Sequence, residues 1–481
     1  MKKQIVSIAM MTTLLGTLNY DSIVRADSNG NKIEKSEVKK GIINIPDSEL
    51  ERGIKEALNL GSNDPITTEN ILDLTALTIN KKNISTLTGL EYAQNLSYIN
   101  FDYNNIKDLA PLKELKNLVS IGLANNPITD LSPLYNLPIT ELNIDGIHVQ
   151  DFDVMKNFQN KLNFKTLFIE NNYLSNIDFL KEFPNLTFLK LAKNNIEDIS
   201  SLTNLKKLET LTLEANKIED ISPISNTNSL SNITLNGNNI EDISPLTNLK
   251  KLMVLNLSNN EINDLTPLEN LVNINRLGLN YTNVEDLSPL KGLTKLKRLE
   301  AHGIKATSIE PISTLPQLET LFFNNNQVHD LKKLEGAKSL KVLSVNSNNI
   351  TESDIPLNPS LQQLAAAKNN IININFVKSL PNLSTLGVNN NGISDISSVE
   401  NTGITYLEAR NQKIKLEDVN LGEKTSILIR NQTGTIPKNI IWNTKGTYDG
   451  KYLKWDQKGI NALSWDNNDG VFSGEIEQKV I

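Results

Sequence analysis

The sequence predicts an α/β solenoid in which each repeat adds one short parallel strand to a concave sheet and closes with a 3₁₀ turn on the convex side. Three observations predict it: leucines recur in one register every 22 residues, an Asn recurs at the ninth position, and a Pro-bearing segment follows. LVSIGLANNPITDLSPLYNL from Leu118 and LMVLNLSNNEINDLTPLENL from Leu252 share the template L-x-x-L-x-L-x-x-N-x-I-x-x-L-x-x-L-x-x-L. Starts fall at Leu74, Leu96, Leu118, Ile139, Phe164, Leu186, Leu208, Leu230, Leu252, Ile274, Leu296, Leu318, Leu340, Leu361, Leu383 and Ile404. These are sixteen leucine-rich repeat units, the last degenerate.

Each template position has a physical task. The x-L-x-L-x stretch alternates with the strand period, so Ile121 and Leu123 point inward while their neighbours face out. Asn at the ninth position, as in Asn104, Asn216 and Asn238, both donates and accepts, and stacked copies would pair backbone groups otherwise buried alone. Pro133, Pro245 and Pro267 fix φ on the return path and suit a 3₁₀ turn. The unit from Ile139 is longer, running 25 residues to Phe164. Its tail sets Phe152, Met155, Gln159 and Leu162 on one stripe, predicting a longer convex helix with Phe152 and Phe158 as its packing.

A solenoid needs covered ends. Residues 43–73 read as a helical cap, with Ser48-x-x-Glu51 as a capping box, an apolar face of Leu50, Ile54, Ala57 and Leu58, Gly61 past the end and a second short turn near Thr68. The repeats occupy 74–419. Residues 420–481 carry short β-type runs (SILIR, NIIW, KYLKW, GVFSGEI) between turn residues, a small β-sandwich closing the other end. Residues 1–26 read as a secretory signal peptide, with Lys2 and Lys3 before an apolar run from Ile5 to Leu18 and a small-residue site at Ala26. A run of that length is short for about 30 Å of hydrocarbon. Residues 27–42 are polar and read as a flexible leader.

Composition excludes several functions. The 481 residues carry 48 basic and 55 acidic side chains, a net charge of −7, and loss of residues 1–26 leaves −9. That balance opposes nucleic-acid binding, and membrane insertion is not expected of the cleaved chain. Zero Cys excludes disulfides and thiol catalysis, and His148, His302 and His329 are far apart. No hydrolase, zinc-protease or phosphate-loop motif occurs, so the chain reads as a non-enzyme without cofactor or metal. Asp466-Asn467-Asn468-Asp469-Gly470 lacks calcium-loop spacing and reads as a hairpin turn.

The order of signal peptide, PDSEL-type cap, 22-residue repeats with NxIxDxSPL and the tail GTIPKNIIWNTKGTYDGKYLKW...GVFSGEIEQKV resembles the internalin family of Gram-positive bacteria. The resemblance spans about residues 42–481. It implies that the tail is an immunoglobulin-like inter-repeat domain and that the concave face grips a host or cell-surface protein, in adhesion or virulence. Anchored members end in an LPxTG signal, and nothing near Val480 resembles one, so the chain resembles the freely secreted members, expected as monomers, or a product cut short of its anchor.

The outward strand positions lie two, four and six residues after each start, and most are Thr, Ser, Asn or Gly. Against that background stand Tyr98, Asp102, Phe168, Glu170, Phe188, Lys190, Arg276, Arg298, Glu300, Phe322, Tyr406 and Arg410, the side-chain types that supply interface hot spots. Phe168 with Phe188 in the stretch Leu96 to Leu208 is the leading site, and the Arg276 and Arg298 region is the alternative. A cell-wall or biofilm scaffold and a glycan-binding module stay open as other functions.

Overall fold

The computed structural model describes residues 41–328 and 330–481. The expected signal peptide and nearly all of the leader lie outside the described residues. Sixteen parallel strands follow in chain order from β1 (Ala76–Thr78) to β16 (Tyr406–Lys415), and every one starts two residues after a template start. Register is strict: Leu77 lies opposite Ile99, and Leu277 opposite Leu299. The inward leucines and isoleucines are buried and form one continuous core from Ile43 to Val480.

Most ninth-position Asn residues act as the template implies, whereas Asn326 and Asn348 donate from Nδ2 but accept nothing at Oδ1 among the described residues. Asn238 accepts at Oδ1 from the Ile218 N–H at 3.0 Å and donates from Nδ2 to the carbonyls of Leu213 and Leu235 at 3.0 and 2.8 Å. The Leu213 carbonyl also receives Asn216 Nδ2, so successive amides share its two lone pairs. The ladder is interrupted where the ninth residue is Ile147, Thr282 or Ile304, and Gln412 ends it, accepting from Asn391 and Ile393. The residue before the Asn position has positive φ, 53° to 70°, in all sixteen repeats. Gly146, Gly237 and Gly303 fill it without a Cβ penalty, several Asn tolerate it, and Tyr103, Lys193 and Tyr281 accept the strain because the strand-to-turn corner is repeated on both sides.

On the convex side the turns are 3₁₀, and the Asp two residues before Ser or Thr caps them. Asp242 accepts from the Ser244 N–H at 2.7 Å and from its hydroxyl at 2.8 Å. In the unit from Ile139 the expected longer helix is instead a six-residue 3₁₀ segment, Phe152–Asn157, followed by a second, Lys161–Asn163. Phe152, Met155 and Phe158 are buried as expected, Phe158 edge-on to Phe164 at 5.6 Å. Leu162 and Gln159 are exposed, because the chain breaks at Phe158 into extended backbone and the stripe ends there.

The cap helix α1 spans Ser48–Ala57. Its N-cap is Asp47 and not Ser48: the Asp47 carboxylate accepts from the Glu49 and Leu50 N–H groups and reaches Ser85 in the first repeat at 2.8 Å. Asn59, at φ 55°, makes the exit turn ahead of Gly61, with Leu60 N–H returning to the Lys55 carbonyl. Leu50 and Ile54 are fully buried, whereas Ala57 is exposed. Gly53 fills the gap, since a Cβ there would lie 2.1 Å from Ile79 Cδ1.

At the other end β17 (Lys424–Ser426), β18 (Asn439–Trp442), β19 (Gly446–Tyr448), β20 (Tyr452–Trp455), β21 (Gly459–Asp466) and β22 (Phe472–Val480) make two sheets. One joins β17, β20 and β19, and the other pairs β18, β21 and β22. Trp455, Trp465 and Phe472 are buried in this immunoglobulin-like unit. The last repeat strand runs on into it: β16 pairs with β15 (Thr385–Gly387) through Tyr406–Glu408, then with β22 from Ala409 to Lys415. Gly474 permits that junction, because a Cβ there would sit 2.4 Å from Trp465 Cζ2 and 2.7 Å from the Gln412 carbonyl. Of the expected runs, SILIR enters a strand only at Ser426, and β19 and β21 are additional. Asn467 to Gly470 form the β21–β22 turn, with Asn468 and Gly470 at positive φ.

Candidate functional site: the concave sheet

In-register parallel strands stack equivalent residues into lanes along the concave sheet. The first lane holds Tyr98, Phe188, Arg276, Arg298 and Tyr406, the second Phe168, Lys190, Glu300 and Phe322, the third Asp102, Glu170 and Arg410.

The third lane is partly structural. Its side chains accept the backbone N–H of the same position one repeat onward: Asp102 from Ala124 at 2.8 Å, Asn280 from His302 at 2.8 Å, His302 Nδ1 from Asn324 at 3.2 Å, and Asn389 from Arg410 at 2.7 Å. A protonated Nδ1 would have no lone pair to accept, and burial holds His302 below the ordinary imidazole range, against the pull of Glu300. Asp102 is likewise raised above the usual carboxylate range by burial, although the Ala124 N–H lowers it.

In the N-terminal half Phe168 lies under the Lys190 ammonium, 4.5 Å from ring centroid to Nζ, on in-register neighbours. Phe188 stands on the same strand as Lys190 but in the first lane, so Phe168 and Phe188 are diagonal, and no ring contact joins them among the described residues. Both are half-buried. Glu170 accepts from the Thr212 hydroxyl at 3.1 Å, reaching past a repeat whose own residue in that lane is Ala192.

Asp145 belongs to this group and is absent from the sequence-derived set. It accepts from the Glu170 N–H at 2.6 Å, yet burial raises its pKa to about 7, with Glu170 and Asp102 adding repulsion. Asp145→Asn keeps an oxygen for that N–H and removes the charge. The folded pKa lies above the unfolded value, so the associated stabilisation is complete below about pH 3.9 and lost as pH rises through about 7. The variant is therefore expected to match the parent near pH 4 and to exceed it by on the order of 1 kcal/mol at pH 8, after allowance for partial exposure. Melting curves at both pH values check this, and a variant no more stable at pH 8 contradicts it.

Further along, the structure assembles residues that sequence spacing only sets in series. Arg298 stacks its guanidinium 4.6 Å from the Phe322 centroid and bonds Glu300 from Nε at 2.7 Å, while the His302 ring lies 5.9 Å from Phe322. Arg276 sits opposite Arg298 and is exposed. Tyr406 is 56% exposed and donates its hydroxyl to Glu408, which is lowered first by that bond. Glu408 is 3.6 Å from Arg410. Tyr103 and Tyr281, 53% and 57% exposed at the positive-φ position, also lie outside the sequence-derived set. An aromatic in a lane otherwise filled by Asn, Gly, Lys, Ala and Ser was the available signal. Among the described residues no cluster of three or more potential metal ligands occurs, and no helix is long and apolar enough to cross a membrane.

The model for leucine-rich repeats in two copies matches residues 94–136, 184–226 and 316–358. Among solved structures, internalin InlF of Listeria monocytogenes is 28% identical, with 76% of this chain and 96% of that chain covered at a TM-score of 0.55. The functional domain of InlJ from the same organism, which includes a cysteine ladder, is 22% identical over 92% and 99% of the two chains at 0.64. The Arabidopsis thaliana receptor kinase ectodomain GASSHO1/SCHENGEN3, in complex with CASPARIAN STRIP INTEGRITY FACTOR 2, is 20% identical over 72% and 48% at 0.53. No curated protein sequence matches the chain.

Proposed function

We propose that this internalin-like leucine-rich repeat protein is a secreted binding module that holds a host or cell-surface protein on the concave sheet. The observation that carries the reading is the N-terminal half of that sheet, where Tyr98, Phe168 and Phe188 rise from a field of Thr, Ser, Asn and Gly beside Asp102, Glu170 and Lys190. Large rigid side chains among small ones are the arrangement from which hot spots are built. A plant ectodomain of the same fold is held in complex with a partner, which supports the use of the fold for binding.

Sixteen strands at about 4.8 Å span roughly 75 Å, and about six to eight repeats supply the roughly 800 Å² per side of a standard interface, so the partner occupies a sub-region. Fully buried at a partner, each Phe contributes on the order of 1.5 to 3 kcal/mol. Phe168→Ser with Phe188→Ser is expected to weaken capture of a cell-surface protein by about a hundredfold with an unchanged circular dichroism spectrum. Titration calorimetry against the captured protein decides it, and unaltered affinity removes this site. Capture of polysaccharide alone, or concentration-dependent self-association in scattering, would favour the glycan or scaffold reading.

A further inference from the structure

The concave face is divided by charge. Asp102, Asp145, Glu170 and Glu214 make its N-terminal half acidic, whereas Arg276, Lys297 and Arg298 bring three cations together farther along. These three line a cleft of about 420 Å³ with Asn275, Glu319 and Thr320. Arg276 and Lys297 have no acidic partner among the described residues, and Arg298 bonds Glu300 through Nε only, which leaves both Nη groups without a hydrogen-bond partner there. Glu319, the one acidic residue in the lining, is bridged by Lys341 at 3.1 Å. On a chain of net charge −7, such a cleft concentrates field of the opposite sign.

We propose that the Arg276–Lys297–Arg298 cleft is a second subsite of the concave face, one that binds an acidic peptide segment whose paired carboxylates lie between apolar side chains. Adjacent guanidinium forks in register accept carboxylates in bidentate fashion, and the ammonium adds a third donor. The neighbours in the lane favour a peptide over a sulfated sugar: Val254 lies opposite Arg276, Thr320 opposite Arg298, and Val342 opposite Thr320, so apolar side chains bracket the cations. Phe322 holds the Arg298 guanidinium by stacking, which lowers the entropy lost when it takes a carboxylate. The subsite rests on the reading of the chain as a concave-face protein binder, and it is separate in space from Phe168 and Phe188.

The test uses the chain from residue 27 onward and a fluorescent peptide, Leu-Glu-Glu-Asp-Leu, with its Gln/Asn counterpart as control. The acidic peptide is expected to bind at least about tenfold more tightly than the control, with an affinity that falls as NaCl is raised. Arg276→Glu with Lys297→Glu, both exposed positions, should abolish that preference, while Phe168→Ser with Phe188→Ser should leave it intact. Equal binding of the two peptides, or an unchanged preference in the charge-reversed variant, overturns the subsite. So does a heparin oligosaccharide that binds the cleft when the acidic peptide does not. Because the Phe variants read the other half of the sheet, loss of one site is distinguishable from loss of the other.

Discussion

A chain beginning at Leu74 is expected to aggregate when expressed, or to melt far below the full-length protein. The removed segment supplies Ile43, Ile45, Leu50, Ile54 and Ile71, all buried against the first repeats. At about 1.5 to 3 kcal/mol for each large apolar side chain, their loss is comparable to the entire stability of an ordinary domain. It also uncovers Leu77 and the free edge of β1, whose unpaired N–H and C=O groups offer a template for another chain. A full-length variant separates the packing effect from truncation. Ile54→Asp places an unpaired carboxylate at a fully buried position, expected to cost at least about 3 kcal/mol. Size-exclusion chromatography and thermal melting measure both. A monomeric truncation with an unchanged melting temperature would show that the cap is dispensable.

The second large effect belongs to the Asn ladder. Asn238→Ala leaves the buried Ile218 N–H without its acceptor and takes one of two donors from the Leu213 and Leu235 carbonyls. One orphaned buried N–H costs about 1 to 3 kcal/mol, and the vacated volume adds to it, so a loss on the order of 3 kcal/mol is expected. Asn226→Ala, at an exposed position of the preceding repeat, should stay within about 0.5 kcal/mol of the parent. Urea unfolding followed by circular dichroism compares them. Equal midpoints would mean that water or a backbone shift replaces the amide. Because each repeat packs chiefly against its neighbours, the loss is expected to unfold the array locally around Asn238 first.

The repeat array was legible in the sequence because every repeat solves the same local problem with the same residues. Inward Leu and Ile at period two, Asn at the ninth place and Asp two residues before a Ser or Thr each act through contacts within one repeat or with its neighbour. Register, strand positions and the sixteen-fold count therefore follow from spacing alone. Where a contact joins segments distant in sequence, spacing was silent. Asp47 caps α1 in place of Ser48, and its carboxylate also reaches Ser85; the convex segment after Val149 breaks at Phe158, whose ring packs edge-on against Tyr135 of the preceding repeat.

The sequence by itself determined which side chains face outward on the concave sheet, since strand alternation admits only one choice once the leucines are buried. Only the tertiary structure decided which of them act together. Phe168 pairs with Lys190 and not Phe188, Arg298 stacks on Phe322, and Asp145 meets Glu170, because lateral register between strands about 4.8 Å apart brings together residues that lie 20 to 25 positions apart in the chain. Burial and neighbouring charge, which set the proton affinity of Asp145 and the free forks of the arginine cleft, are properties of that lateral neighbourhood and are written nowhere in the local sequence.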